Sequence, residues 1–293
     1  MIENNLRIAG KLVLGTAQIG SKYGITNNKI ISDYEIKQIF KLCKENNIIK
    51  IDTAASYRNS EKIIGKYVNK DWIVNTKLPS ISNNIKDINS YIRKKINNSV
   101  KILNIKKINC LFIHNSEILF KKNSDIIYQT LFDLKKEKLI NKIGISVYTP
   151  YELERALNYF EFDCVQIPIS ILNQKFMKYE RIKKLKEKKI VIQARSIFLQ
   201  GLLLADEENL PKKLSENIRI WKIWHQWIND NSLNKLQVCL SFILSIKEIN
   251  EIIFGLGSFQ NLVEIIHTDK IKIPYFPIEL IDETSKMLDP RRW

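Results

Sequence analysis

Residues 48–67 read IIKIDTAASYRNSEKIIGKY and contain one complete structural unit. Ile48–Ala54 is a mostly apolar run of strand length. It gives way to a polar stretch carrying Ser56 and Tyr57, and then Ser60 and Glu61 open a segment whose Ile63, Ile64 and Tyr67 fall on one helical face. The order is strand, loop, helix.

The same order runs outward in both directions. Apolar runs recur at Leu12–Ala17, Ile48–Ala54, Ile73–Leu78, Ile108–His114, Lys142–Val147, Cys164–Ser170, Ile190–Ile197 and Glu251–Gly257. Amphipathic stretches with helix-start signals lie between them. Ser32, Asp33 and Glu35 precede an Ile36, Ile39, Phe40, Cys43 stripe, and Thr149, Pro150 and Glu152 open another helix. Strict alternation demands right-handed crossovers and a parallel sheet. Eight repeats favour closure, so the expected fold is α/β, a (β/α)8 TIM barrel. After the seventh strand an irregular loop from Phe198 to about Ser215 leads into a helix bearing Trp221, Trp224 and Trp227, a stripe read as core packing. No repeat boundary or low-complexity linker divides the chain, and residues 1–293 are expected to form a single domain.

Composition narrows the function. The net charge is +16, but the basic residues, such as Lys183, Lys184 and Lys186, are spread over helical stretches and mixed with acids. A solvated surface explains them better than a nucleic-acid groove, which interleaves cations with stacking aromatics. Cys43, Cys110, Cys164 and Cys239 lie far apart in apolar surroundings and read as buried free thiols. With three histidines, a metal site is not expected. No segment approaches a membrane span or signal peptide, and a cytoplasmic setting is the default expectation.

In barrels of this kind, polar groups at the C-terminal ends of strands carry the chemistry. Here the strand ends present Asp52 and Tyr57, then Lys77, then His114. Forming an alcohol from a carbonyl needs a hydride on carbon and a proton on oxygen. A phenol is a poor proton donor at neutral pH unless a neighbouring cation stabilises its anion. Tyr57 is the candidate donor, Lys77 the cation, Asp52 the group that keeps Lys77 charged and in place, and His114 the group that orients the carbonyl. Each residue has an ordinary structural reading when taken alone. At the ends of three consecutive strands they form a coherent set.

The runs Leu14-Gly15-Thr16-Ala17 and Ile51-Asp52-Thr53-Ala54, with Tyr57, Ser60, Glu61, Gly65, Asn75-Thr76-Lys77 and Ile113-His114, resemble the aldo-keto reductase family from about Leu12 to about Ile266. The resemblance implies that Tyr57 is the general acid/base, that Lys77 and Asp52 tune it, and that His114 orients the substrate. It also implies a nicotinamide cofactor, NADP by default with NAD as the alternative. Gly15 and Thr16 fall in its first-strand motif. Ser146 and Gln166 match residues that hold the nicotinamide carboxamide. Arg195 and Ser196 end the seventh strand on the cofactor side, and Phe198 and Gln200 follow in the loop that resembles the family's pyrophosphate cover. Gly255, Gly257, Ser258, Gln260 and Asn261 match the phosphate-binding segment at the start of the last helix.

Four positions depart from the usual pattern. Val147 stands where many members have Asn, Arg195 where many have a stacking Tyr, Asn261 where a cation meets the adenosine 2′-phosphate, and Ile265 where an adenine-side Asn is usual. The run Arg195–Gly201 and the tail Leu288–Trp293 resemble a bacterial branch associated with surface-polysaccharide sugar biosynthesis. The implied function is reduction of an aldehyde, ketone or sugar carbonyl, with a small-molecule partner and neither nucleic acid nor membrane. The oligomeric state is open. The alternative is a catalytically weak nucleotide-binding barrel with a regulatory or partner-docking role.

Overall fold

Each apolar run forms a strand in the computed structural model, which describes residues 8–22, 24, 29–211, 214, 218–281, 286–289 and 291. The strands are β1 (Leu12–Gly15), β2 (Lys50–Asp52), β3 (Ile73–Leu78), β4 (Ile108–Ile113), β5 (Ile140–Ser146), β6 (Cys164–Pro168), β7 (Val191–Arg195) and β8 (Glu251–Phe254). Neighbours in sequence pair in parallel, and β8 closes on β1 to complete a (β/α)8 barrel. Most strands stop short of their apolar runs. Ala17, Ala54, Val147 and Ser170 lie beyond the ladder, where the chain bends into the loops at the C-terminal mouth.

Among the described residues the helices are α1 (Asp33–Glu45), α2 (Ser60–Ile64), α3 (Ile88–Ile102), α4 (Ser124–Lys136), α5 (Pro150–Leu157), α6 (Arg181–Glu187), α7 (Ile218–Asp230), α8 (Lys235–Ser245) and α9 (Phe259–Ile266). Their starts follow side-chain caps. Ser32 and Glu35 form a reciprocal capping box on α1, and Thr149 Oγ1 accepts from Glu152 N at 3.2 Å on α5. Gly65 ends α2 where a Cβ would lie 2.1 Å from the Ile102 carbonyl oxygen, so only glycine lets α2 close against the end of α3. No helix among the described residues is long and apolar enough to cross a membrane.

Strand residues alternate between two environments, as the pleat requires. Leu111, Ile113, Ile143, Ile145, Val165 and Ile167 join the large apolar core between sheet and helices. Cys110, Phe112 and Cys164 form a separate cluster inside the barrel. Gly144 is needed between them, because a Cβ there would meet the Phe112 ring at 2.4 Å. All four cysteines are free and buried, and burial pushes the Cys43 thiol up to about 12.

The segment after β7 is more ordered than its composition suggests. Leu199–Leu204 and Glu207–Asn209 form short 3-10 turns. Residues 212, 213 and 215 of the expected loop, and 216 and 217 after it, lie outside the described residues. Trp221, Trp224 and Trp227 are buried in the α7 interface, in agreement with the packing role read from their spacing.

Candidate active site

Asp52 ends β2, Lys77 is the penultimate residue of β3, His114 follows β4 directly, and Tyr57 lies in the turn between β2 and α2. The barrel brings all four together. Lys77 Nζ donates to Asp52 Oδ2 at 2.5 Å and to the Thr53 carbonyl at 2.9 Å. The same ammonium sits 5.0 Å from the centre of the Tyr57 ring. The Tyr57 and His114 rings meet edge to face, their centres 6.0 Å apart and their planes at 82°. Ser56 Oγ lies 3.4 Å from His114 Nδ1.

Lys77 and Asp52 are almost fully buried, with side chains 3% and 6% exposed. Burial alone would lower the Lys77 pKa. The Asp52 carboxylate and Tyr57 more than reverse this, and the ammonium is held above its ordinary value. His114 moves the other way. Desolvation, with the Lys77 and Arg195 charges, pushes its pKa down to about 3, so the imidazole is neutral at physiological pH. The site therefore contains a fixed cation, a phenol beside it and a neutral imidazole.

These residues line a cavity of about 1180 Å³ at the C-terminal mouth, a size suited to a dinucleotide with a small substrate. Gly15, Thr16, Ser146, Gln166, Arg195, Ser196, Phe198, Gln200, Gly255, Gly257, Ser258 and Asn261 all reach it. Gln260 does not line it: its amide donates to Glu264 one turn along α9, at 3.4 Å. Gln166 Nε2 donates to Asp52 Oδ1 at 2.5 Å and to Gln193 Oε1 at 2.9 Å, whereas Gln166 Oε1 is buried without a partner. An orphaned amide acceptor in a cavity wall suits a ligand with an N–H donor, which a nicotinamide carboxamide supplies.

The aldo/keto reductase family profile matches residues 11–286. The chain belongs to the aldo/keto reductase family. Among solved structures, it is similar to the aldo-keto reductase AKR11C1 of Bacillus halodurans in its holo form, at 17% identity over 97% of this chain and 95% of that one, with a TM-score of 0.72. It is also similar to the glycerol dehydrogenase AKR11B4 of Gluconobacter oxydans, at 18% identity over 89% and 88% of the two chains, with a TM-score of 0.66. At these identities the likeness is one of fold. Comparison with curated proteins finds no match.

Tyr148 and Arg291 are not among the candidates named from the sequence, and they gather around Arg195, which is. Tyr148 lines the cavity and is sandwiched by two guanidinium groups, Arg195 at 4.1 Å and Arg291 at 4.0 Å from its ring centre. Arg195 Nη2 also donates to the Val147 carbonyl at 3.0 Å, tying the ends of β5 and β7 together. Arg291 reaches Glu152 Oε1 at 3.1 Å from far along the chain. The sequence has no spacing signal for this cluster, since its members come from three distant segments. Ser196, Leu199 and Gln200 have positive φ, a strained choice for side-chain-bearing residues beside a pocket.

Proposed function

We propose that this aldo/keto reductase reduces an aldehyde, ketone or sugar carbonyl to an alcohol with a nicotinamide cofactor. The observation that carries the reading is the Lys77 ammonium, fixed by Asp52 beside the Tyr57 ring on the cavity wall, with His114 adjacent. Ser146, Gln166 and the Gly255–Asn261 segment would hold the cofactor, which when bound supplies the hydride. Tyr57 gives its hydroxyl proton to the carbonyl oxygen. Lys77 stabilises the negative charge left on the phenol, and the low-dielectric surroundings strengthen that effect. His114, neutral, donates one N–H to the carbonyl and holds it in line with Tyr57.

The cofactor's adenosine end is assigned to α9. Residues 255–266 contain no lysine or arginine. Asn261 Oδ1 accepts from Gly257 N at 3.2 Å, and Glu264 joins the cavity wall beside it. The α9 side of the wall offers no cation for a 2′-phosphate, and Lys235, which lines the same cavity, is held by the Ala205 carbonyl and Asp206; this favours NADH over the NADPH that family resemblance implies. The sugar assignment rests on the likeness of Arg195–Gly201 and the tail to the polysaccharide branch. The solved structures lend that branch no support, and Pro290, Arg292 and Trp293 lie outside the described residues.

Fluorescence titration with NADH and NADPH, followed by a panel of neutral and sugar aldehydes, tests the proposal. Saturable nucleotide binding with oxidation on adding a carbonyl supports it. Binding without turnover across the panel would instead indicate the regulatory barrel.

A further inference from the structure

A chain of polar side chains runs through the barrel where a TIM barrel ordinarily packs branched apolar residues. Lys50 Nζ donates to Glu251 Oε1 at 2.7 Å. Gln193 Nε2 donates to Glu251 Oε2 at 2.5 Å, and Gln193 Oε1 accepts from Gln166 Nε2 at 2.9 Å. Gln166 Nε2 then reaches Asp52 Oδ1, whose other oxygen holds Lys77. The path follows the sheet register. Gln166 is the partner of Gln193, and Gln193 the partner of Glu251. Because barrel strands are staggered, a row of register partners descends the barrel. It leads from the cavity at the C-terminal mouth to Glu251, the first residue of β8.

The chain has a direction set by its ends. Ionised Glu251 and Asp52 can only accept hydrogen bonds. Gln193 must therefore present its NH₂ to Glu251, which turns its carbonyl oxygen toward Gln166. Gln166 must present its NH₂ to both Asp52 and Gln193, which uses both of its N–H groups. Its carbonyl oxygen is left as the unengaged end of a side chain that lines the cavity. Reversing either amide sets a carbonyl oxygen against a carboxylate.

We propose that Gln193, backed by Glu251 and Lys50, is a positioning residue that orients the Gln166 amide as a pure acceptor, so that the site selects a pyridine ring bearing a primary amide. This rests on the nicotinamide reading above and extends it to residues outside the cavity wall. Gln193 touches neither substrate nor cofactor. It acts through Gln166.

The test compares binding of NADH with that of reduced 3-acetylpyridine adenine dinucleotide, in which a methyl group replaces the carboxamide NH₂. ADP-ribose, which lacks the pyridine, reports on the integrity of the adenosine end. The wild-type protein is expected to prefer NADH by at least about fivefold, the worth of one hydrogen bond to a buried acceptor. In Gln193→Met the preference should shrink by about threefold or more, with ADP-ribose affinity unchanged. Glu251→Gln, which removes the one-way acceptor but keeps the shape, should shift the preference in the same direction and serves if Gln193→Met does not fold. An unchanged preference in a folded variant overturns the proposal. So does a loss shared equally by all three ligands, which marks a merely structural role. A wild-type protein that binds ADP-ribose but does not distinguish the two pyridines sinks the relay alone, while one that binds none of the three sinks the cofactor reading with it.

Discussion

The Lys77 ammonium lies 5.0 Å from the centre of the Tyr57 ring, although the two residues come from different strand–helix units. One side chain supplies a fixed positive charge, and the other has a proton to give. Tyr57→Phe keeps the ring and removes the proton. Turnover should fall by about 10²-fold or more, with NADH affinity changed less than about threefold. Steady-state kinetics and fluorescence titration check this, and full activity in the variant would remove Tyr57 from the acid role.

Lys77→Met leaves Asp52 buried opposite an uncharged side chain. Breaking a buried pair from one side costs about 3–5 kcal/mol, and chemical denaturation should show a loss on that scale. The double variant Asp52→Asn/Lys77→Met removes both charges and should be more stable than Lys77→Met alone. A surface-like loss below about 1 kcal/mol for the single variant would mean that water screens the pair.

His114 sets an acid limit on stability. Its pKa falls from an ordinary 6.5 in the unfolded chain to about 3 in the fold, so the unfolded state binds the proton more readily. The stability that the neutral imidazole contributes is present above pH 6.5 and drains away as the pH falls toward 3. His114→Gln should flatten the stability profile over that window. Equal slopes for wild type and variant would contradict the burial argument.

Arg195 is one of the charges that lower the His114 pKa. Arg195→Met should therefore raise it, measured by NMR titration of the imidazole. The shift should be smaller than the part due to desolvation, which is the largest cause. No upward movement would place the guanidinium too far away to act.

Gly65→Ala tests the packing of the unit that carries Tyr57. The added Cβ meets the Ile102 carbonyl oxygen at 2.1 Å, too close without backbone movement. A loss of about 1–3 kcal/mol is expected from thermal or chemical denaturation.

Much of this was legible before any coordinates. All eight strands were marked by apolar runs, and Ser32, Thr149 and Pro150 marked helix starts by the capping chemistry they supply. The candidate tetrad was legible because each member stands at or just beyond a strand end, and closure of the barrel gathers those ends at one mouth. The Tyr148–Arg195–Arg291 stack was not, since nothing in local spacing links β5, β7 and the tail. Gln193 was not either. Read along β7 it is a polar residue between apolar Ile192 and Ala194, and its significance lies in the register that sets it between Gln166 and Glu251.

The sequence by itself determined the alternation of strands and helices and the chemical types available at each strand end, because hydrophobic periodicity and capping are local. Only the tertiary structure decided which charge meets which partner, how deeply Lys77 and Asp52 are buried, and which way each amide faces. Those depend on strand stagger and on the exclusion of water, and both arise only once the barrel has closed.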